Sequence, residues 1–173
     1  IILVLVLFVG LGLLLYPSVS DYVNSLHQSK AISGYAERVE NMDKEQYDEM
    51  FNAAVQYNYE LSQGAQSYKL SDDQAARYNQ LLNIDGNGAM GYIEIPSIKV
   101  TLPIYHGTDD MVLQSAIGHL EWTSLPVGGE GSHCVLSGHR GLPSAKLFTN
   151  LDKLIESMSK AFDYVFFDAP PVG

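Results

Sequence analysis

Residues Ile1 to Tyr16 read IILVLVLFVGLGLLLY, an apolar run without a single charge. At a rise of ~1.5 Å per residue it predicts a helix of roughly 24 Å, short of the ~30 Å hydrocarbon core of a bilayer. The chain opens on Ile1 with no basic flank, which reads as a transmembrane helix whose beginning is missing. A signal-peptide core would run into a small-residue cleavage pattern, and Tyr16-Pro17 offers none. A buried helix of a soluble protein is the remaining alternative. The first charge after the run is Asp21, and the segment beyond it is acidic. Cytoplasmic flanks favour Lys and Arg, so the body of the protein is placed outside the cytoplasm.

From Asp21 to about Leu82 the polar and apolar positions follow a helical period. Asp43-Lys44-Glu45-Gln46 has the form of a capping box, and Tyr47, Met50, Ala54, Tyr57 and Leu61 then recur at spacings of three and four as one apolar stripe. Ser71-Asp72-Asp73-Gln74 repeats the capping logic, with two carboxylates where the helix dipole favours them. A shorter helix through Tyr78 to Leu82 is expected after it. Asn83 to Gly88 is a loop by its turn chemistry. Its Asp85-Gly86-Asn87-Gly88 core lacks the further acidic ligands of a calcium loop, so a plain turn is expected.

Beyond this loop the period switches to two. Ile93 and Ile95 share a face, and Ile98, Val100, Leu102 and Ile104 alternate. Pro96 and Pro103 point to strand ends, bulges or edges. Asp109 to Ala116 predicts a helical turn, and His133 to Ser137 another strand closed by Gly138. Short strands between Gly/Pro turns indicate a β-barrel or sandwich carrying N-terminal helices.

Composition narrows the chemistry. Asp and Glu number 20 against 10 Lys and Arg, a net charge of −10, and no basic cluster exists to neutralise phosphates, which argues against nucleic acid as a partner. The single cysteine, Cys134, excludes a disulfide or CxxC metal site within these residues. Cys134 and His139 lie five residues apart, roughly 16 Å along an extended strand, so Cys134 reads as a small buried hydrophobe rather than a nucleophile. Of the five histidines, His106, His119 and His139 stand beside glycines, where exposure and mobility would suit acid–base work. The alternative is a histidine hydrogen-bonded in a turn. No spacing supports a zinc site, and no metal or cofactor is expected. Ser137 precedes His139 by two positions, without a GxSxG elbow.

The stretches Gly91-Tyr92-Ile93-Glu94-Ile95-Pro96, Leu102 to Gly107, Gly118-His119-Leu120-Glu121 and Thr123 to Gly129 occur in that order. With Val135 to Phe148, the most specific of them, they resemble the class C, pilus-assembling sortases of Gram-positive bacteria over roughly residues 1–154. The resemblance implies a membrane-anchored cysteine transpeptidase on a β-barrel, which cleaves LPxTG-like sorting signals and passes the acyl group to a pilin lysine. It makes His139 the catalytic histidine. The family's TLxTC strand and later arginine have no counterpart here, and Cys134 and Arg140 do not match those positions. An Asp-Pro-aromatic lid motif is absent as well. The chain is therefore expected to be inactive as it stands.

After Leu154 the pattern changes. Phe162 to Gly173, with the apolar run Tyr164-Val165-Phe166-Phe167 closed by Asp168, resembles the second Walker-type motif of bacterial tyrosine kinases. The phosphate-binding loop that such a motif requires is not found in the sequence. The segment reads as a join between unrelated frames or a sequence artefact. The expected organisation is α+β: a transmembrane anchor (1–20), a helical lead-in (21–85), an incomplete sortase-like β-barrel (86–154) and an unrelated tail (155–173). The protein is expected at the cell membrane, single-pass, with its body extracytoplasmic. A non-catalytic, membrane-tethered binding module on a partial sortase scaffold is the alternative.

Overall fold

The computed structural model describes residues 2–64, 68–84, 86–98 and 100–138. Helix α1 (Ile2–Asn41) runs for 40 residues, about 60 Å, without a break between its apolar and polar parts. Its apolar residues from Ile2 to Tyr16 are exposed. Pro17 lies inside the helix, where it withholds a backbone donor from the preceding turn. By length and composition this helix could cross a membrane. Its polar half rests on the rest of the protein through Gln28, a buried side chain whose Nε2 donates to the Ser115 carbonyl at 2.5 Å.

Helix α2 (Lys44–Gln63) starts where the sequence places a cap: the Asp43 carboxylate accepts from the Gln46 N–H at 2.8 Å. The expected stripe forms, with Ala54 and Tyr57 buried, Met50 and Leu61 partly so, and Tyr47 at the exposed end stacked on Phe51. Helix α3 (Asp72–Gln80) carries a complete capping box between Ser71 and Gln74. Ser71→Ala should lower unfolding stability by about 1 kcal/mol in a denaturant titration, whereas Ser71→Asp should keep most of it. A loss as large as that of a core truncation would mean that Ser71 does more than cap the helix. Arg77 ties α3 to α2: it pairs with Glu60 and lies 5.7 Å from the centre of the Tyr57 ring. The expected helix through Leu82 stops short, because Leu82 adopts a left-handed φ of 60°. That conformation costs a branched residue roughly 1–2 kcal/mol, and burial of its side chain in the core offsets it.

Four strands follow: β1 (Ala89–Ile95), β2 (Val100–His106), β3 (Ile117–His119) and β4 (Leu136–Ser137). They form one mixed sheet in that spatial order, antiparallel at β1/β2 and β3/β4 and parallel at β2/β3. Pro96 ends β1 and opens a 3₁₀ turn through Ile98, so the alternating set begins at Val100 rather than Ile98. Pro103 sits inside β2 without breaking the ladder. The His106 N–H donates to Gly88 on the β1 side, which turns the position-103 nitrogen toward β3, one residue before that pairing begins. The turn between α3 and β1 is organised by Asn83, whose Oδ1 accepts from the Gly88 N–H at 3.0 Å; Asp85 lies outside the described residues. The short helix α4 (Asp110–Leu113) lies within the expected helical turn.

One core joins the helices to the sheet. Ala54, Tyr57, Tyr78 and Leu82 pack with Met90, Ile104 and Leu125, and a smaller cluster gathers at Val100 and Leu102. A polar bridge reinforces it. The Asn58 amide takes the Leu125 N–H at 2.7 Å and donates to the Leu125 carbonyl at 3.0 Å, as a backbone partner would.

Candidate functional site

The residues of interest converge where β3 ends and β4 begins its run toward Gly138. His119 closes β3, paired to Leu136, and Gly118 pairs with Ser137. Gly118 is required by a close approach: a Cβ there would collide with the Gly107 carbonyl oxygen and crowd the Thr108 backbone. This contact holds the end of β2 against β3.

The His119 ring is fully buried rather than exposed at a strand end, which corrects the expectation drawn from its flanking glycine. Its Nε2 lies 2.8 Å from the Ser124 carbonyl, an acceptor only, so Nε2 carries the proton. Nδ1 of the neutral ring then accepts from the Tyr78 hydroxyl at 2.9 Å. The Tyr78 oxygen in turn accepts the Gly107 N–H at 3.1 Å. Burial drives the His119 pKa down to about 4, the Ser124 bond opposing the shift and nearby His106 adding to it. The same burial raises the Tyr78 phenol. At neutral pH this is an uncharged, fully directed network, a structural hub rather than a proton shuttle.

His106 is half-buried, with a carbonyl oxygen beside each ring nitrogen and one N–H of the neutral ring to share between them. Nδ1 is 2.8 Å from the Gly88 carbonyl and Nε2 is 2.8 Å from that of Leu81, while the ring meets Tyr78 edge-on at 4.8 Å. It links the end of α3 to the start of β1. Of the two other described histidines, His27 and His133 have exposed side chains. Among the described residues no group of three or more His, Cys, Asp or Glu could hold a metal ion.

The segment leading into β4 is not a full strand from His133, as the alternation predicts; only Leu136 and Ser137 enter the ladder. The chain beyond β3 folds away in a turn, with the Thr123 N–H donating to the Leu120 carbonyl at 2.9 Å, so backbone partners run out. Side chains supply some of the missing acceptors. The Val135 N–H donates to the Thr123 hydroxyl at 3.1 Å and the His133 N–H to the Ser124 hydroxyl at 3.0 Å. In return, Leu120 N–H reaches the Val135 carbonyl at 3.0 Å and Ser124 N–H the His133 carbonyl at 2.8 Å. Cys134 stands between these clamped positions, half-buried, its thiol pushed up to about 11 by burial. A protonated, shielded thiol at neutral pH is a poor nucleophile.

His139, Arg140 and Asp168 lie outside the described residues. Sequence reasoning did not assign a role to Tyr78, Asn58, Thr123 or Ser124. Polar residues inside apolar periodic surroundings were the available signal, because a buried polar group must find a partner.

Residues 93–169 match the family model of the sortase domain, a match that runs past residue 154. Sortase D of Bacillus subtilis (strain 168) is 40% identical over 78 residues, covering 45% of this chain and 38% of that protein. The crystal structure of sortase C1 from Streptococcus agalactiae superposes with a TM-score of 0.66 and 48% identity, covering 72% of this chain and 64% of that one. Clostridium perfringens sortase C, solved in complex with the C-terminal cell wall sorting signal motif, gives 0.56 and 45%, covering 72% and 59%. The chain thus spans less than two thirds of the length of each of these relatives.

Proposed function

Proceeding from a sortase domain and a sortase fold whose structural neighbours are class C enzymes, we propose that the chain forms the anchor and histidine-bearing part of a cysteine transpeptidase acting on LPxTG-like sorting signals. The observation that carries this reading is the 45% identity, across 72% of the chain, to a sortase C captured with a sorting-signal motif. The apolar half of α1 anchors the protein in the cell membrane as a single pass, with the sheet on the extracytoplasmic side.

In the reaction a cysteine thiolate attacks the carbonyl carbon of the signal's scissile peptide bond. That bond breaks as His139 gives a proton to the departing amine, leaving a thioester. A pilin lysine then loses its proton to His139, attacks the thioester and releases the thiolate. His139 therefore alternates between acid and base, a task suited to imidazole near neutral pH. Cys134 does not serve as the thiolate, because its thiol is shielded and protonated. The 173 residues hold no other thiol, so cleavage by this chain alone should stay at background.

The test uses a fluorogenic LPxTG-like peptide and the purified chain in detergent. The expected result is no turnover above a blank and no change with Cys134→Ala. Clear cleavage abolished by Cys134→Ala would overturn the assignment of the thiol. Binding provides the positive arm: titrated with the same peptide, the Gly138 amide signal should shift in an NMR spectrum. Silence at millimolar peptide would count against the sorting-signal reading.

A further inference from the structure

We infer that Val19, Tyr22, Val23 and Leu26 form a lipid-facing stripe that seats the polar half of α1, and the body docked on it, against the bilayer surface. The inference rests on the reading of α1 as a membrane anchor, and it concerns where contact with lipid ends. Past Pro17 the sequence turns polar, with Ser18, Ser20, Asp21, Asn24 and Ser25, yet the four apolar residues recur among them at helical spacing. In α1 they share one face, a turn beyond Leu15 and Tyr16 of the apolar run and continuous with them.

Their exposure is the reverse of what water selects. Val19, Tyr22, Val23 and Leu26 are 57%, 65%, 42% and 53% exposed, whereas polar Gln28 is buried against Ser115 and Asn24, one turn before it on the same face, is half-buried. Gln28 lies about two and a half turns beyond Val19, so the body occupies one side of the helix and the stripe points away from it. Asp21, the first charge, also falls on the side away from the stripe. Because α1 runs unbroken from Ile2 to Asn41, lipid around its apolar part fixes the direction of the rest. A helix that leaves the bilayer tilted keeps one face in contact longer than the other, and that face must be apolar. The exposed rings of Tyr16 and Tyr22 suit the headgroup level, where an apolar body with a polar tip is favoured. Continuity with the anchor and the reversed polarity thus select lipid as the occupant. The Gln28–Ser115 bond lies within a turn of Leu26, so the body sits close above the lipid surface.

The test uses the whole chain in phosphatidylcholine vesicles. Trp122 is the only tryptophan of the sequence, so a Trp122→Phe background lets one introduced ring report each position. Fluorescence of Phe8→Trp, Tyr22→Trp and Asn24→Trp is compared in plain lipid and in lipid brominated deep or shallow on its acyl chains. Phe8→Trp should be quenched by deep bromine and Tyr22→Trp by shallow bromine, each by about two-fold or more, while Asn24→Trp keeps most of its intensity. Should Asn24→Trp fail to fold, Asp21→Trp, at an exposed position, reads the side away from the stripe. Quenching of Phe8→Trp without quenching of Tyr22→Trp would overturn the proposal and leave the anchor intact. Equal quenching at positions 22 and 24 would also overturn it, because the helix would then be immersed on all sides. So would a Tyr22→Trp ring shielded from both bromine and aqueous acrylamide, the mark of a protein partner or a second copy on the stripe. An unquenched Phe8→Trp would refute the anchor reading itself, so the two failures are distinguishable.

Discussion

Gly118→Ala should destabilise the folded chain by about 3 kcal/mol, the upper end of what overpacking a well-fitted interior costs. The added methyl has nowhere to go. It would overlap the Gly107 carbonyl oxygen and press on the Thr108 backbone and a Leu113 methyl, and two of these three obstacles are main chain. Relief requires β3 to part from the end of β2, which would also pull at the Gly107 N–H bond to Tyr78 and the Gly118–Ser137 pairing. Denaturant titration in detergent checks the magnitude. A loss below about 1 kcal/mol would mean that the β2–β3 approach is looser than described. Gly86→Ala, at an open position with φ of 70°, provides a comparison in which strain acts without a collision.

The second large effect is on pH. His119 titrates at about 4 in the folded chain, against about 6.5 when unfolded. The unfolded state therefore binds the extra proton first as pH falls, and stability falls with it. The contribution is fully present above about 6.5, declines between about 6.5 and 4, and amounts to about 3 kcal/mol once lost. Glu60, held below the usual carboxylate range by Arg77 and Gln56, acts with the same sign only at lower pH. The check is an NMR titration of the His119 ring beside unfolding curves at several pH values. A midpoint near that of a free imidazole, or a stability unchanged down to pH 4.5, would refute the buried neutral assignment.

Much of the helical architecture was legible because its signals are local. A cap at Asp43, a capping box at Ser71 and an apolar stripe from Met50 to Leu61 each depend on residues within one or two turns, and each forms. The strands were legible where alternation was long, as in β1 and β2. His133 to Ser137 shows where that signal fails. Alternation records which face a residue presents and says nothing about whether a partner strand continues beside it, and here the partner turns away at Leu120. The site divides in the same manner. His139 is proposed from its motif alone and lies outside the described residues, whereas the contacts of His119, Thr123 and Ser124 join residues that no local pattern links. Asn58 and Leu125 are 67 positions apart. Flanking glycine at His119 suggested mobility, but Gly118 is small because another backbone passes against it.

The shared interior described above has a practical consequence. Tyr57 and Tyr78 from the helices and Met90, Ile104 and Leu125 from the sheet side fill one volume, so neither half can be excised and still shield its apolar surface. Grafting the strands onto a different leader sequence, or swapping residues 43–82 for those of a cousin, would succeed only if the transplanted tyrosines and Asn58 came along in register.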